Sequence, residues 1–275
     1  MVNSISDKYE KLTKFIRHIY NHIRKLEPSE FQDLGIYINI DYGFFEDFSQ
    51  NDIELIKIFL TSTNCGLTFR KSHIEVKKSL FILEAVKYLD IDISKLSKLL
   101  NWKEFEDLIS RIFDKYEFRV IKNFRFTDHS NYSRKTNQKR YEIDVIAMLG
   151  RLILLIDAKH WNCRTNNLSA INKASKLQSR RMHALIKNPD VISKLITKLL
   201  NQNELQKIKG FIPFKLIPMI VTLNENKVKL SYIQVPIVSI FHLNRFIQEF
   251  DFNEKFFIYE IITNITIQKN LTNKF

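Results

Sequence analysis

The sequence predicts an α/β protein that has a mixed sheet flanked by helices and a mainly helical N-terminal region. One observation is the apolar run at 152–156, which has the length and content of a buried strand. A second is the segment 140–148, which is separated from that run by a short turn at Gly150. A third is the helical apolar spacing on both sides of these strands, which is typical of helices packed on a sheet.

Residues 1–98 are predicted to form a mainly helical N-terminal domain of unassigned role, and residues 99–275 the main domain. The expected elements are helices at about 6–26, 50–62, 74–89 and 94–100, and a short strand at about 35–40. Helices and a hairpin are compatible with a winged-helix-like DNA reader, and equally with a dimerisation or scaffold role.

A helix is predicted to follow Asn101, because its apolar residues repeat with helical spacing. These residues are Phe105, Leu108, Ile109, Ile112, Phe113 and Tyr116. Glu104 is three residues after Asn101 and is expected to complete a capping box. Glu106 has no such local role, so it is either an ordinary exposed glutamate or an acid that reaches over the sheet edge.

Two acids and a lysine are expected to meet where the two central strands end. Residues two apart in a strand share a face, so Glu142 lies beside Asp144, and Asp157 lies beside Lys159. A hairpin through Gly150 brings Asp144 near Asp157. Carboxylate oxygens are the ligands that Mg²⁺ prefers, and a lysine beside them can orient water or offset charge on a phosphate. An isolated Asp-x-Lys is more often a solvated strand end, so the neighbouring segments must decide.

Three motifs together resemble the PD-(D/E)XK nuclease superfamily, and more narrowly the Mrr-like restriction endonuclease group and its archaeal relatives. They are Phe105-Glu106, then Glu142-Ile-Asp144 with the apolar residues after it, and Asp157-Ala-Lys159. The resemblance covers about residues 100–245. It implies a restriction-endonuclease-like mixed sheet and a metal-dependent DNA endonuclease that uses Mg²⁺, for which Mn²⁺ substitutes.

The resemblance also implies roles for individual residues. Asp144, Asp157 and the backbone carbonyl of Ala158 would hold the metal, Lys159 would be the catalytic lysine, and Glu106 an accessory acid that binds metal directly or through water. One departure is that Asp157 stands where glutamate is frequent in this superfamily. Glu142 has two open alternatives, which are reaching the metal or pairing with Arg140 or a basic helix residue.

Basic residues flank the predicted site and make DNA the expected partner. No Asp or Glu occurs from residue 158 to residue 189. Within this stretch a helix at about 170–186 is expected to place Ala174, Leu177, Met182 and Leu185 inward and its cations outward. The candidate contacts to nucleic acid are Lys173, Lys176, Gln178, Arg180 and Arg181 on this helix, and Arg134, Lys135, Lys139 and Arg140 on a polar loop at 129–141. Solvated charge is the competing interpretation for both segments.

Composition agrees with a polyanionic partner. The chain carries a formal charge of +13, and residues 1–60 contain only 7 of its 43 basic residues and 10 of its 30 acidic ones.

The start of the sequence is not typical of a signal peptide and no apolar run is long enough to cross a bilayer, so a cytoplasmic protein without a membrane partner is expected. With two cysteines and five glycines, the chain lacks the residues for a four-cysteine cluster or a Gly-rich phosphate loop.

Three activities stay open at this point. A DNA endonuclease of restriction or repair type is the first expectation, and a homodimer is expected because cutting both strands takes two active sites. A Holliday-junction resolvase would use the same acids and lysine on a different substrate. A catalytically silent DNA-binding or assembly module is the third, against which the sequence offers the argument that buried charge without a partner is costly.

Overall fold

The computed structural model describes residues 2–26, 37–61, 63, 65–128, 139–160, 168–207, 213–226 and 228–263. The chain divides into two compact units, Met1–Leu108 and Ile109–Phe275. No helix in the described part of the chain is long and apolar enough to span a membrane.

The first unit combines helices with a three-stranded antiparallel sheet. Its elements are α1 (Val2–Lys25), β1 (Tyr37–Asp41), α2 (Gln50–Thr61), β2 (Leu67–Phe69), β3 (His73–Lys77), α3 (Lys78–Ala85) and α4 (Ile93–Ser97). The strands lie in the order β1-β3-β2.

The prediction of a helix from residue 74 was wrong at its start, because residues 73–77 alternate between buried and half-buried positions as a strand does. Strand β2 was not predicted.

Helix α5 (Trp102–Lys115) begins in the first unit and ends in the second. The expected capping box is present: the Asn101 backbone N–H donates to Glu104 Oε2 over 2.8 Å, and the Glu104 N–H donates to Asn101 Oδ1 over 2.9 Å. Glu104 also pairs with Lys78 at 2.8 Å. The apolar stripe is buried as predicted from Phe105 to Phe113.

The second unit is built on a six-stranded mixed sheet, which confirms the predicted fold class. Its strands are β4 (Arg119–Asp128), β5 (Lys139–Leu149), β6 (Leu152–Lys159), β7 (Phe214–Thr222), β8 (Ile237–Ser239) and β9 (Glu260–Ile262). The order is β4-β5-β6-β7-β8, and β9 pairs with β7. Strands β4, β5 and β6 are antiparallel, whereas β6, β7 and β8 are parallel.

After α5, the α-helices in the described part of this unit are α6 (Leu168–Ile186), α7 (Pro189–Leu199), α8 (Gln202–Gln206), α9 (Leu243–Gln248) and α10 (Phe250–Asn253). Helices α6 and α7 supply Met182, Leu185 and Ile196 to a buried cluster that includes Ile153 and Leu155 of β6. Burying each such side chain contributes about 1.5–3 kcal/mol. Because alternate residues share a face, Asp157 and Lys159 continue the α6 face of β6 beyond its apolar part.

The turn between β5 and β6 sets the register that the site depends on. Gly150 has φ +56°, in the left-handed region that favours glycine. The pairing runs from Leu149 with Leu152 to Val145 with Ile156. A shift by one residue would move the acids to the opposite face of the sheet.

We predict that Gly150→Ala lowers the free energy of unfolding by about 1–2 kcal/mol, the cost of a left-handed conformation for a residue with a Cβ. Gly43→Ala is the matched control, because an added Cβ meets nothing within 4 Å at either position and only Gly150 has a positive φ. The control should be neutral or stabilising by less than about 1 kcal/mol. Urea denaturation of the full chain measures both, and equal effects would contradict the assigned role of the turn.

Candidate active site

Asp144 and Asp157 lie where the pairing of β5 with β6 stops. The last paired residues are Val145 and Ile156, so the two acids occupy the next position on each strand. The Ala158 backbone N–H donates to Asp144 Oδ2 over 2.9 Å, so the Asp144 carboxylate binds the backbone of β6. Lys159 is held from the other side, where the Leu223 N–H donates to its carbonyl over 3.1 Å.

Asn123 lies on β4 opposite Asp144, where the pairing of β4 with β5 is also interrupted. The sequence did not indicate a role for this residue. The pairing of β4 with β5 includes Lys122 with Val145 and Phe124 with Ile143, and omits the position between them. Asn123 has φ +53° there, a conformation that asparagine tolerates better than most residues. The ladder is therefore interrupted on both sides of Asp144.

Asp157 is a buried carboxylate that is paired with two cations. Its side chain is 1% exposed, Lys159 Nζ lies 2.8 Å from Oδ2, and Arg181 Nη1 lies 2.6 Å from Oδ1. Oδ2 has no hydrogen-bond partner in the described part of the chain, so its contact with Lys159 is an ion pair of poor hydrogen-bond geometry. Burial of this charge is tolerated because both neighbours are positive.

Gln178 connects Arg181 to strand β6. It is fully buried, its Nε2 donates to the Leu155 carbonyl over 2.7 Å, and its Oε1 accepts from Arg181 Nη1 over 2.8 Å. Arg181 was predicted to project outward with the other cations of α6. It turns inward instead, because the Asp157 carboxylate is within its reach.

The Asp144 carboxyl group has a pKa raised from 3.8 to about 6. Burial is the main cause, and the negative charge of Asp157 is the next, while the Ala158 N–H, Lys159 and Arg181 act in the opposite direction. Two carboxylates near one buried point, where the charge of Asp157 raises the pKa of Asp144, form a place where a cation is stabilised. Sequence spacing predicted that Asp144 and Asp157 would come close together, and the raised pKa of Asp144 follows from that proximity and from burial.

The donors present suit Mg²⁺, which commonly takes one or two carboxylates and keeps several waters. Asp157 Oδ2 is buried and accepts no hydrogen bond from the described residues, so a metal bound to this oxygen would break none. A larger cage is absent from the described residues, where no three His, Cys, Asp or Glu side chains gather around one point. The carboxylates of Asp144 and Asp157 therefore fit the metal as a two-carboxylate set, and the Ala158 carbonyl as a further ligand stays a prediction.

Glu106 lies on α5 and is 7% exposed, so the interpretation as an ordinary surface glutamate was wrong. It belongs to the first of the two units, whereas Asp144 and Asp157 belong to the second. Its role as an accessory acid stays a prediction.

Glu142 forms an ion pair with a residue on the neighbouring strand, which spacing within its own strand does not reveal. Arg125 lies opposite it on β4, and the Arg125 Nε to Glu142 Oε2 distance is 3.1 Å. The side chains are 75% and 38% exposed, so this is a surface ion pair of small energetic weight. The structure thus shows a partner other than Arg140 or a basic helix residue, which were among the open alternatives.

Helix α6 presents Lys173, Lys176 and Arg180 to solvent, as predicted. Lys176 Nζ lies 5.4 Å from the centre of the Tyr232 ring. Leu177 was expected to pack inward and is 38% exposed, because the amide of Gln178 takes the buried position next to β6.

The basic loop before β5 is mostly outside the described residues, and this includes Arg134 and Lys135. Strand β5 begins at Lys139, so the predicted loop ends earlier than expected and Arg140 is an exposed strand residue opposite Thr127.

Residues 101–220 match the family model of NERD, the nuclease-related domain. That domain belongs to the PD-(D/E)XK-like nuclease superfamily, so the resemblance is confirmed at this level and a nuclease-related function is indicated for the segment. The match contains Asp144, Asp157, Lys159 and Arg181. The narrower Mrr-like assignment stays a prediction.

A search of the curated proteins found no match. Among solved structures, the chain is similar to the crystal structure of protein VC1899 from Vibrio cholerae, with 9% identity and a TM-score of 0.37. The alignment covers 91% of this chain and 56% of that one, so this chain spans little more than half the length of that protein.

Proposed function

We propose that this chain is a divalent-metal-dependent endonuclease that hydrolyses phosphodiester bonds in DNA, of Mrr-like restriction or repair type. One observation carries the proposal. Asp144, Asp157 and Lys159 lie together at the point where two central strands stop pairing, within the segment that matches a nuclease-related domain. This combination supports metal-assisted hydrolysis better than structural ion pairing alone, since it places two acids around one buried point.

The metal would be held by Asp144, Asp157 and the carbonyl of Ala158, with Glu106 as an accessory acid. Mg²⁺ is the proposed ion and Mn²⁺ its substitute. When bound, it would act as a Lewis acid on the phosphate and lower the pKa of a coordinated water.

Lys159 supplies the remaining chemistry. Its ammonium group lies 2.8 Å from Asp157 Oδ2, and its side chain is 24% exposed, so it reaches both the acid and the solvent. From that position it orients the attacking water and offsets the charge that develops on the phosphate oxygens.

DNA is the proposed substrate because the cations lie on one helix beside the acids. Lys173, Lys176 and Arg180 are exposed on α6, whose inner side carries Arg181 at 2.6 Å from Asp157. The polyanion would extend along this face, and the basic residues before β5 are proposed as a second contact.

A catalytically silent DNA-binding or assembly module is the second candidate, and one observation favours it. Both oxygens of Asp157 are already paired with cations, so the charge is stabilised without a metal. The expectation that this charge would be buried without a partner was wrong, so its cost does not speak against this candidate. Cleavage must therefore be measured.

We predict that the purified protein nicks supercoiled plasmid with Mg²⁺ or Mn²⁺ and not with EDTA. Asp157→Ala should abolish nicking because a metal ligand is lost. Lys159→Ala should abolish nicking while metal and DNA binding persist, because the lysine acts on the reacting groups. Agarose gels of a time course measure the rates, with four-way junctions and methylated DNA included as further substrates.

Glu142→Gln is the matched control, since it removes an acid from the same strand that pairs with Arg125 and not with the site. Its nicking rate should stay within twofold of the wild-type rate, an estimate of about 0.4 kcal/mol in the barrier. Nicking retained at the wild-type rate by Asp157→Ala would contradict the proposal, as would metal binding without cleavage of any substrate in the panel.

We further predict that changing both Lys173 and Lys176 to Gln weakens DNA binding and reduces the slope of log K against log salt by about 1.8, or about 0.9 per lost phosphate contact. Changing Lys194 and Lys198 to Gln is the control, because these two exposed lysines lie on α7. Fluorescence anisotropy of a labelled duplex at several salt concentrations measures both slopes. Equal reductions of the slope in the two double variants would contradict a specific contact between α6 and DNA, because they would mean that binding depends only on the net charge of the protein.

A further inference from the structure

Arg181 is bound to a carboxylate oxygen of Asp157 that a metal ion would use as a ligand. It lies 2.6 Å from Asp157 Oδ1, while Lys159 lies 2.8 Å from Oδ2. A divalent cation bound to Asp157 would stand next to both positive groups, and repulsion between like charges is strong at such distances in a partly buried site. A metal is therefore expected to replace at least one of them.

Lys159 and Arg181 reach Asp157 from two different elements. Lys159 lies on β6 two residues from Asp157, and the backbone of its strand is paired with β7 through Thr222. Arg181 comes from a different element, α6, and reaches Asp157 with a long side chain. Displacement of either side chain leaves the backbone pairing intact, but the proposed role of Lys159 requires it to stay beside the acid. Arg181 is therefore the group that is expected to move.

Arg181 also has an N–H donor without an acceptor in the described part of the chain. A guanidinium group carries five N–H donors. Nη1 donates to Asp157 and to Gln178, whereas the buried Nε has no acceptor in the described part of the chain. The side chain is 13% exposed, and the same helix carries the exposed cations Lys173, Lys176 and Arg180. A phosphate would satisfy these donors in the paired geometry that arginine favours.

We propose that Arg181 is a displaceable counter-ion: it neutralises Asp157 while the metal is absent, and metal binding releases its guanidinium group to bind the phosphate backbone of the nucleic acid. This inference rests on the proposed nuclease function. Arg181 acts as a positioning residue that couples metal binding to substrate binding. Gln178 holds it within reach of both positions.

The test is the affinity for Mn²⁺ alone, measured by isothermal titration calorimetry without nucleic acid. Arg181→Gln should bind Mn²⁺ at least fivefold more tightly than the wild type, because the metal no longer competes with a cation. The Mn²⁺ affinity of Arg181→Lys should lie between those of the wild type and Arg181→Gln. Lysine keeps the positive charge but lacks the planar set of N–H donors that arginine has. Arg180→Gln is the control for net charge and should change the Mn²⁺ affinity less than twofold.

Thermal unfolding establishes that each variant is folded. If Arg181→Gln does not fold, Arg181→Lys decides, with a two- to fivefold gain in Mn²⁺ affinity expected and an unchanged affinity overturning the inference. Mn²⁺ binding by the wild type without tightening in Arg181→Gln would overturn the role of Arg181 alone. Absence of Mn²⁺ binding in both proteins would contradict the metal centre and the proposed function with it.

Coupling to the substrate has its own readout. Binding of a labelled DNA duplex should tighten on replacing EDTA with Ca²⁺, and the gain should be at least threefold larger in the wild type than in Arg181→Gln, since only the wild type releases a guanidinium group. An equal gain in both proteins would overturn the coupling.

Discussion

The buried charge of Asp157 is the constraint on which the site depends. A carboxylate that is 1% exposed at the end of an apolar strand must be compensated, and the chain compensates it with Lys159 from the same strand and Arg181 from α6. The position of α6 follows from this requirement and from the apolar cluster that Met182 and Leu185 form with β6. Gln178 links the two, because it binds both the backbone of β6 and Arg181.

The second acid depends on how the strands end. Asp144 lies one position past the last pair between β5 and β6, and the left-handed Asn123 interrupts the ladder on its other side. Its carboxylate is free to accept from the Ala158 N–H, and the nearby charge of Asp157 helps to raise its pKa to about 6. A nuclease centre and a silent ion-pair network share these features, and they differ in whether a metal replaces a cation.

Sequence alone was sufficient for the parts of the fold that local periodicity determines. The hairpin, α5 with its capping box, and the meeting of Asp144 with Asp157 and Lys159 follow from spacing and turn chemistry. The inward position of Arg181, the pairing of Glu142 with Arg125 and the conformation of Asn123 depend on which strands become neighbours, and spacing within one segment carries no information about that. The strand at residues 73–77 was missed because an alternating segment of five residues runs directly into a helix.

The most direct test of the account is a crystal structure of the wild-type protein soaked with Mn²⁺, with anomalous scattering used to locate the metal. We expect an anomalous peak at about 2.1 Å from oxygens of Asp144, Asp157 and the Ala158 carbonyl, with Arg181 no longer bound to Asp157. A structure that shows no metal at these residues, with Arg181 still at Asp157 Oδ1, would contradict it and favour the silent module.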